Sequence, residues 1–194
     1  IVIIKDISIT TLVTIPEGKD ITLDIGNYTI TNTSTNNFYN YGTLRIHDGT
    51  IRNTTSNKGA IDNYGTLYVS GGLIEQTGGR QAIYNLGSLY ISGDAVLRSA
   101  AIQRGAVDND DDNATIVISG GTIETTSADS RTGALRIVKG TVTVTGGTII
   151  SASTSSTKSE KNEYSGAIYN GATLIIGTKD DNHEVSVPVI QGIA

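Results

Sequence analysis

The chain has 194 residues, a net charge of −5, 23 glycines and no cysteine, methionine or tryptophan. Without cysteine there is no disulfide framework and no thiolate metal site. An acidic chain with no basic stripe is not expected to bind nucleic acid. No apolar run approaches the roughly 18 residues of a membrane-spanning helix, so no membrane insertion is expected of this segment.

From the N-terminus, the strand-like stretch ISITTLVTI is followed by the turn Pro16-Glu17-Gly18-Lys19. Residues 1–20 therefore read as an entry coil or cap, and 21–194 as repeats within one domain spanning 1–194. One phrase then recurs: GTLRIHDGTI from Gly42, GTLYVSGGLI from Gly65, GSLYISGDAV from Gly87, ATIVISGGTI from Ala114, GTVTVTGGTI from Gly140 and ATLIIG from Ala172. These starts lie 23, 22, 27, 26 and 32 residues apart. ITLDIGNYTI at Ile21 is an earlier relative. A second phrase precedes most copies: GAIDNY at Gly59, QAIYNL at Gln81, GAVDND at Gly105 and GAIYNG at Gly166. A fixed period of this size signals stacked supersecondary units. Leucine-rich repeats lack this pattern of strand residues. The longer intervals place loops at Asp108–Asn113 and Ser151–Tyr164.

Alternation within each phrase puts every second residue on one face. Glycine at the corner permits a sharp turn. Each coil is expected to hold three short strands, giving about seven coils of roughly 22 residues and a rod ~35 Å long. Four apolar columns are expected inside. The first is Leu23, Leu44, Leu67, Leu89, Ile116, Val142 and Leu174, and its partner is Ile25, Ile46, Val69, Ile91, Ile118, Val144 and Ile176. The third is Ile30, Ile51, Ile74, Val96, Ile123 and Ile149. The fourth is Ile61, Ile83, Val107, Leu135 and Ile168. Asn40, Asn63, Asn85, Asn109 and Asn170 form a turn column able to build an amide ladder.

The phrases GTLxVSGGxI and GAIYN resemble the right-handed parallel β-helix (pectin-lyase-like) repeats of bacterial cell-surface and adhesin-like proteins, over roughly 21–194. The resemblance implies an all-β fold, a right-handed parallel β-helix (β-solenoid). It also implies a stalk, adhesion module or carbohydrate-associated domain outside the cell.

Chemistry must come from outward positions. Three such columns are expected: Asp24, Arg45, Tyr68, Tyr90, Val117, Thr143 and Ile175; Tyr39, Asp62, Tyr84, Asp108, Arg136 and Tyr169; and Thr31, Arg52, Glu75, Leu97, Glu124 and Ile150. Tyr68 with Tyr90, and Tyr39 with Tyr84 and Tyr169, offer flat faces for sugars, although tyrosine also suits exposed strands. Asp108, Asp110 and Asp112 alternate like oxygen ligands of a calcium loop, so a structural Ca²⁺ is the one cofactor considered, against a plain solvated loop. Asp62 and Asp108, two coils and ~10 Å apart, are the best carboxylate pair for glycoside hydrolysis, at or beyond the upper limit for an inverting enzyme. No basic or metal-loaded groove of the kind a lyase needs is evident. His47 and His183 lie too far apart to share a metal. The mixed outward columns form no regular threonine array of the kind found in ice-binding proteins.

The leading expectation is a non-catalytic extracellular structural or adhesion module of a bacterial surface protein. Its expected partners are host or environmental glycans, surface proteins and neighbouring domains of the same chain. A carbohydrate-active β-helix enzyme and a secreted or phage fibre segment are the alternatives. The absence of methionine and the mid-pattern ending VSVPVIQGIA suggest a piece of a larger protein that continues past Ala194.

Overall fold

The computed structural model describes residues 1–129, 133–153, 166–177 and 188–192. It is an all-β parallel solenoid of about six turns, against about seven expected. Among the described residues there is no helix, and so none long and apolar enough to cross a membrane.

Each coil contributes to three strand stacks. The first stack holds Asp20–Leu23, Thr43–Ile46, Thr66–Val69, Ser88–Ile91, the start of Thr115–Thr125, the start of Thr141–Ser151, and Thr173–Ile176. The second holds Ile7–Ile9, Thr29–Asn32, Thr50–Asn53, Leu73–Gln76, Val96–Ser99, the later halves of the same two long strands, and Val189–Gly192. The third runs Val13–Ile15, Phe38–Asn40, Ile61–Asn63, Ile83–Asn85, Val107–Asn109, Leu135–Ile137 and Ile168–Asn170. Every strand pair among the described residues is parallel, so each side chain sits above its equivalent in the previous coil. Three strand positions per coil are present as expected, and in two coils the first and second run together. There the double-glycine corner is absorbed into one eleven-residue strand, with register shifts around Ser119.

The inward columns are buried almost completely up to the last coil, with Leu44, Leu67, Leu89, Ile61, Ile83 and Ile74 at zero exposure, whereas Ile168 and Leu174 are half-buried and Ile176 is 50% exposed. Each large aliphatic side chain buried this way contributes about 1.5–3 kcal/mol, which no isolated coil could gain. Three expected columns are each shifted at one position. Ile21, not Leu23, pairs with Leu44, and Leu23 pairs with Ile46. The first corner is longer, and it tucks Ile25 wholly inside. The outward partner of Arg45 is therefore Thr22 rather than Asp24. Likewise Leu97, not Val96, pairs with Ile74 and is buried, because Ala95 adds one residue to its corner.

The amide ladder forms as expected through three rungs. Asn40 Nδ2 donates to Asn63 Oδ1 at 2.7 Å, Asn63 to Asn85 at 2.8 Å, and Asn85 to Asn109 at 2.7 Å. Ile15 and Ile137 occupy the adjacent positions and end it. Asn109 turns instead to the Lys139 carbonyl, and Asn40 Oδ1 is left without a donor. Asn170 lies beyond the break and is exposed. A second inward polar column, Asn32, Asn53, Gln76, Ser99, Thr125 and Ser151, went unread in the sequence. Its side chains donate to carbonyls in the turn of the preceding coil, as Gln76 Nε2 does to Lys58 at 2.9 Å, and accept from N–H groups of the turn that follows, as Gln76 Oε1 does from Gly79 at 2.8 Å. These bonds fix the loops from which the clefts are made.

Glycine opens most strands of the first stack because the backbones touch there. A Cβ on Gly65 would lie 2.2 Å from the Gly42 carbonyl oxygen, and one on Gly87 would lie 2.3 Å from that of Gly65.

Candidate functional site

The third stack presents Tyr39, Asp62, Tyr84, Asp108, Arg136 and Tyr169 outward in the expected register. Asp62 accepts a hydrogen bond from Asn36 Nδ2 at 3.0 Å. Burial pushes its carboxyl up to about 6, against the opposing pull of Lys58, Arg80 and the Asn36 bond. Tyr84 separates it from Asp108 and donates to Asp110 Oδ2 at 2.9 Å. Burial and that bond raise the Tyr84 phenol to about 12.

Asp108 is fully buried, and both of its oxygens are occupied. Oδ1 accepts the Gly105 N–H at 2.8 Å, and Oδ2 receives Arg104 Nη1 at 3.2 Å and Arg136 Nη1 at 3.3 Å. Burial raises its pKa, while Arg136, the Gly105 N–H and Arg104 oppose the rise. Its evident work is to pin the turn before it and to anchor two guanidiniums.

Asp108, Asp110 and Asp112 do not converge. Asp108 serves the two arginines, Asp110 takes the Tyr84 hydroxyl, and Asp112 points to Lys139 Nζ at 3.4 Å. Among the described residues no group of three candidate ligands is placed to hold a metal ion. His183, Thr178–Asn182 and most of Ser151–Tyr164 lie outside the described residues.

Of the expected tyrosines, Tyr68 and Tyr90 meet, stacked at 4.8 Å between centroids and 12° between planes. Arg45 lies 4.3 Å above the Tyr68 ring, its guanidinium held by both Asp20 oxygens at 3.2 Å. This makes a continuous stack of Arg45, Tyr68 and Tyr90 across three coils. Tyr39, Tyr84 and Tyr169 share a face but are separated by Asp62, Asp108 and Arg136, and Tyr169 packs on Arg136 at 5.8 Å. Tyr39 instead joins a cluster that sequence reasoning missed. Tyr41 and Tyr64 stack at 4.7 Å, and Tyr39 meets Tyr64 edge-on at 5.9 Å. The available signal was the pentapeptide Asn-Tyr-Gly-Thr-Leu, present at 40–44 and again at 63–67. Two copies one coil apart must superpose their tyrosines.

A cleft lies beside the third stack, between the turns that leave the second stack. It holds about 680 Å³ and is lined by Gly78, Gly79, Arg80, Ile102, Gln103, Arg104 and Arg136. No basic groove is legible in the sequence, yet three arginines from three coils meet here. Two come from turns and one from a strand, so no linear run of positive charge announces them.

Comparison of the chain with models of known families, with curated proteins and with solved structures finds no match.

Proposed function

We propose that this solenoid is a non-catalytic extracellular adhesion module of a bacterial surface protein, and that it binds glycans on its tyrosine-bearing flank. The observation that carries the reading is the stack of Arg45, Tyr68 and Tyr90, two rings capped by a guanidinium. Tyr90 is 37% exposed, and Tyr41 and Tyr64 are 43% and 40% exposed. Rings held rigidly by their neighbours lose little entropy on binding. The faces of Tyr68 are taken by Arg45 and Tyr90, so the free face of Tyr90 and the outward edges and hydroxyls of the two rings are what a pyranose would meet. The inward residues are fully committed to the scaffold, so ligand contact falls to this outer surface. Glycan-array and calorimetric titration of the wild type and of the Tyr68→Ala/Tyr90→Ala double variant tests this. Saturable binding that weakens at least tenfold in the variant is expected. An absence of glycan binding would reduce the module to a spacer.

A carbohydrate-active enzyme is the second reading, and Asp62 is its support, since a carboxyl titrating near 6 suits a general acid. Its partner carboxylate is lacking, because Asp108 is enclosed and fully bonded. Cleavage of any member of a polysaccharide panel, abolished by Asp62→Asn, would establish the enzyme and overturn the adhesion module.

A further inference from the structure

We propose that the cleft bounded by Arg80, Arg104 and Arg136 is a binding site for an oxyanion group, carboxylate or sulfate, carried on a sugar-sized body. The charge balance supports the anion. Arg104 and Arg136 share a single buried counter-ion, Asp108, and each gives it only one terminal nitrogen. Arg80 makes no ion pair among the described residues, and its Nε is buried without a partner. The neighbouring carboxylate on the Arg80 side is Asp62, whose pKa that arginine lowers. Counting Lys58 beside Asp62 and Asp110 on the Tyr84 hydroxyl, four cations face three carboxyl groups, which leaves an excess of positive charge on a chain whose net charge is −5. Guanidinium is the side-chain group best shaped to meet a planar or tetrahedral oxyanion through paired N–H donors.

The dimensions argue for the body. A cleft of 680 Å³ falls within the ~300–1,000 Å³ typical of small-molecule sites and would be left mostly empty by an inorganic anion. Ile102, 43% exposed, supplies an apolar wall beside the cations, and the Gln103 amide adds a donor and an acceptor. Such a mixture suits an acidic saccharide. The saccharide part of the inference rests on the glycan reading above, whereas the oxyanion part does not.

Calorimetric titration with a uronate oligosaccharide, a sulfated oligosaccharide, a neutral oligosaccharide of equal length and inorganic sulfate separates the sources. Saturable binding of at least one of the two acidic oligosaccharides, with tenfold or greater preference over the neutral one and over inorganic sulfate, is expected. Arg80→Gln and Ile102→Glu should each weaken it at least tenfold, the first by removing the unpaired cation and the second by placing a competing carboxylate in the cleft. Arg45→Gln and Tyr68→Ala/Tyr90→Ala should leave it intact, so loss of the tyrosine site and loss of this one are distinguishable. Unchanged thermal melting would show that the variants are folded. No binding by any probe, equal binding of acidic and neutral sugars, inorganic sulfate binding as tightly as the sugars, or full affinity in both cleft variants would each overturn the proposal.

Discussion

Asp62→Asn should stabilise the protein at neutral pH and do nothing at acidic pH. The Asp62 carboxyl is raised from 3.8 to about 6 by burial. The folded state therefore binds its proton more tightly than the unfolded chain does. This contribution to stability is fully present below 3.8 and is lost as pH rises through about 6. At ~1.4 kcal/mol per pKa unit, a shift of about two units corresponds to an upper limit near 3 kcal/mol. Asp62 keeps some contact with solvent, so screening lowers the expected value to ~1–3 kcal/mol. Asparagine is nearly isosteric, is always neutral, and its Oδ1 can still accept from Asn36 Nδ2. Urea denaturation at about pH 3 and about pH 7.5 measures the difference directly, since linear extrapolation yields each stability. The variant should exceed the wild type by ~1–3 kcal/mol at the higher pH and match it at the lower. Equal stabilities at the higher pH, or the same increment at both, would refute the assignment of burial as the dominant force on Asp62.

Asn63→Ala should remove two ladder bonds and strand a donor on Asn40 and an acceptor on Asn85, costing on the order of 3 kcal/mol in chemical denaturation. Gly65→Ala would set a Cβ 2.2 Å from a neighbouring backbone oxygen and should prevent stable folding, as judged by thermal melting and soluble yield. Gly26→Ala, at φ +60° with open space around it, should cost only ~1 kcal/mol by the same assay. Glu75→Gln should weaken a four-member charge ladder and lower stability by ~1–2 kcal/mol, an effect that added salt reduces.

That ladder shows what the sequence could and could not convey. Arg52, Glu75, Arg98 and Glu124 alternate down the outer face of the second stack, with Arg52 Nε on Glu75 and Arg98 Nε on Glu124. Aligning the repeats by phrase placed Leu97 outward at this position and hid the alternation. Period-two patterning is unforgiving here, because the single extra residue at Ala95 exchanges inside for outside. The columns of the third stack escaped this error, since their phrases run unbroken into the Asn turn. The same regularity made the Tyr68–Tyr90 contact legible and the Asn ladder predictable. The Tyr41–Tyr64 stack was equally encoded but lay at a turn residue, outside the strand positions on which the reading concentrated.

The arginine cleft illustrates a different limit, and it explains where function collects on a solenoid. Strand positions are constrained from both sides by stacked neighbours, so a new side chain there must suit two coils at once. The turns that leave the second stack, whose lengths differ from coil to coil, carry less of this constraint. The coil beginning at Gly87 is longer than the one before it, with extra residues at Ala95, within 100–106 and at Asp110–Asn113. Two of these departures supply Arg104 and the partners of Tyr84 and Lys139. The buried Asp108 then ties the departing loop back to the regular strand through Gly105 and Arg136. A charge with both oxygens engaged inside a repetitive apolar scaffold costs desolvation that an aliphatic residue would avoid. Its presence where the period breaks fits a fastening that holds Arg104 and Arg136 at the cleft. Asp108→Asn should therefore weaken anion binding more than an equally destabilising substitution in the distant first coil, such as Ile25→Ala. Matching stability by urea denaturation and comparing titrations of the two variants tests the claim, and equal losses of binding would refute it.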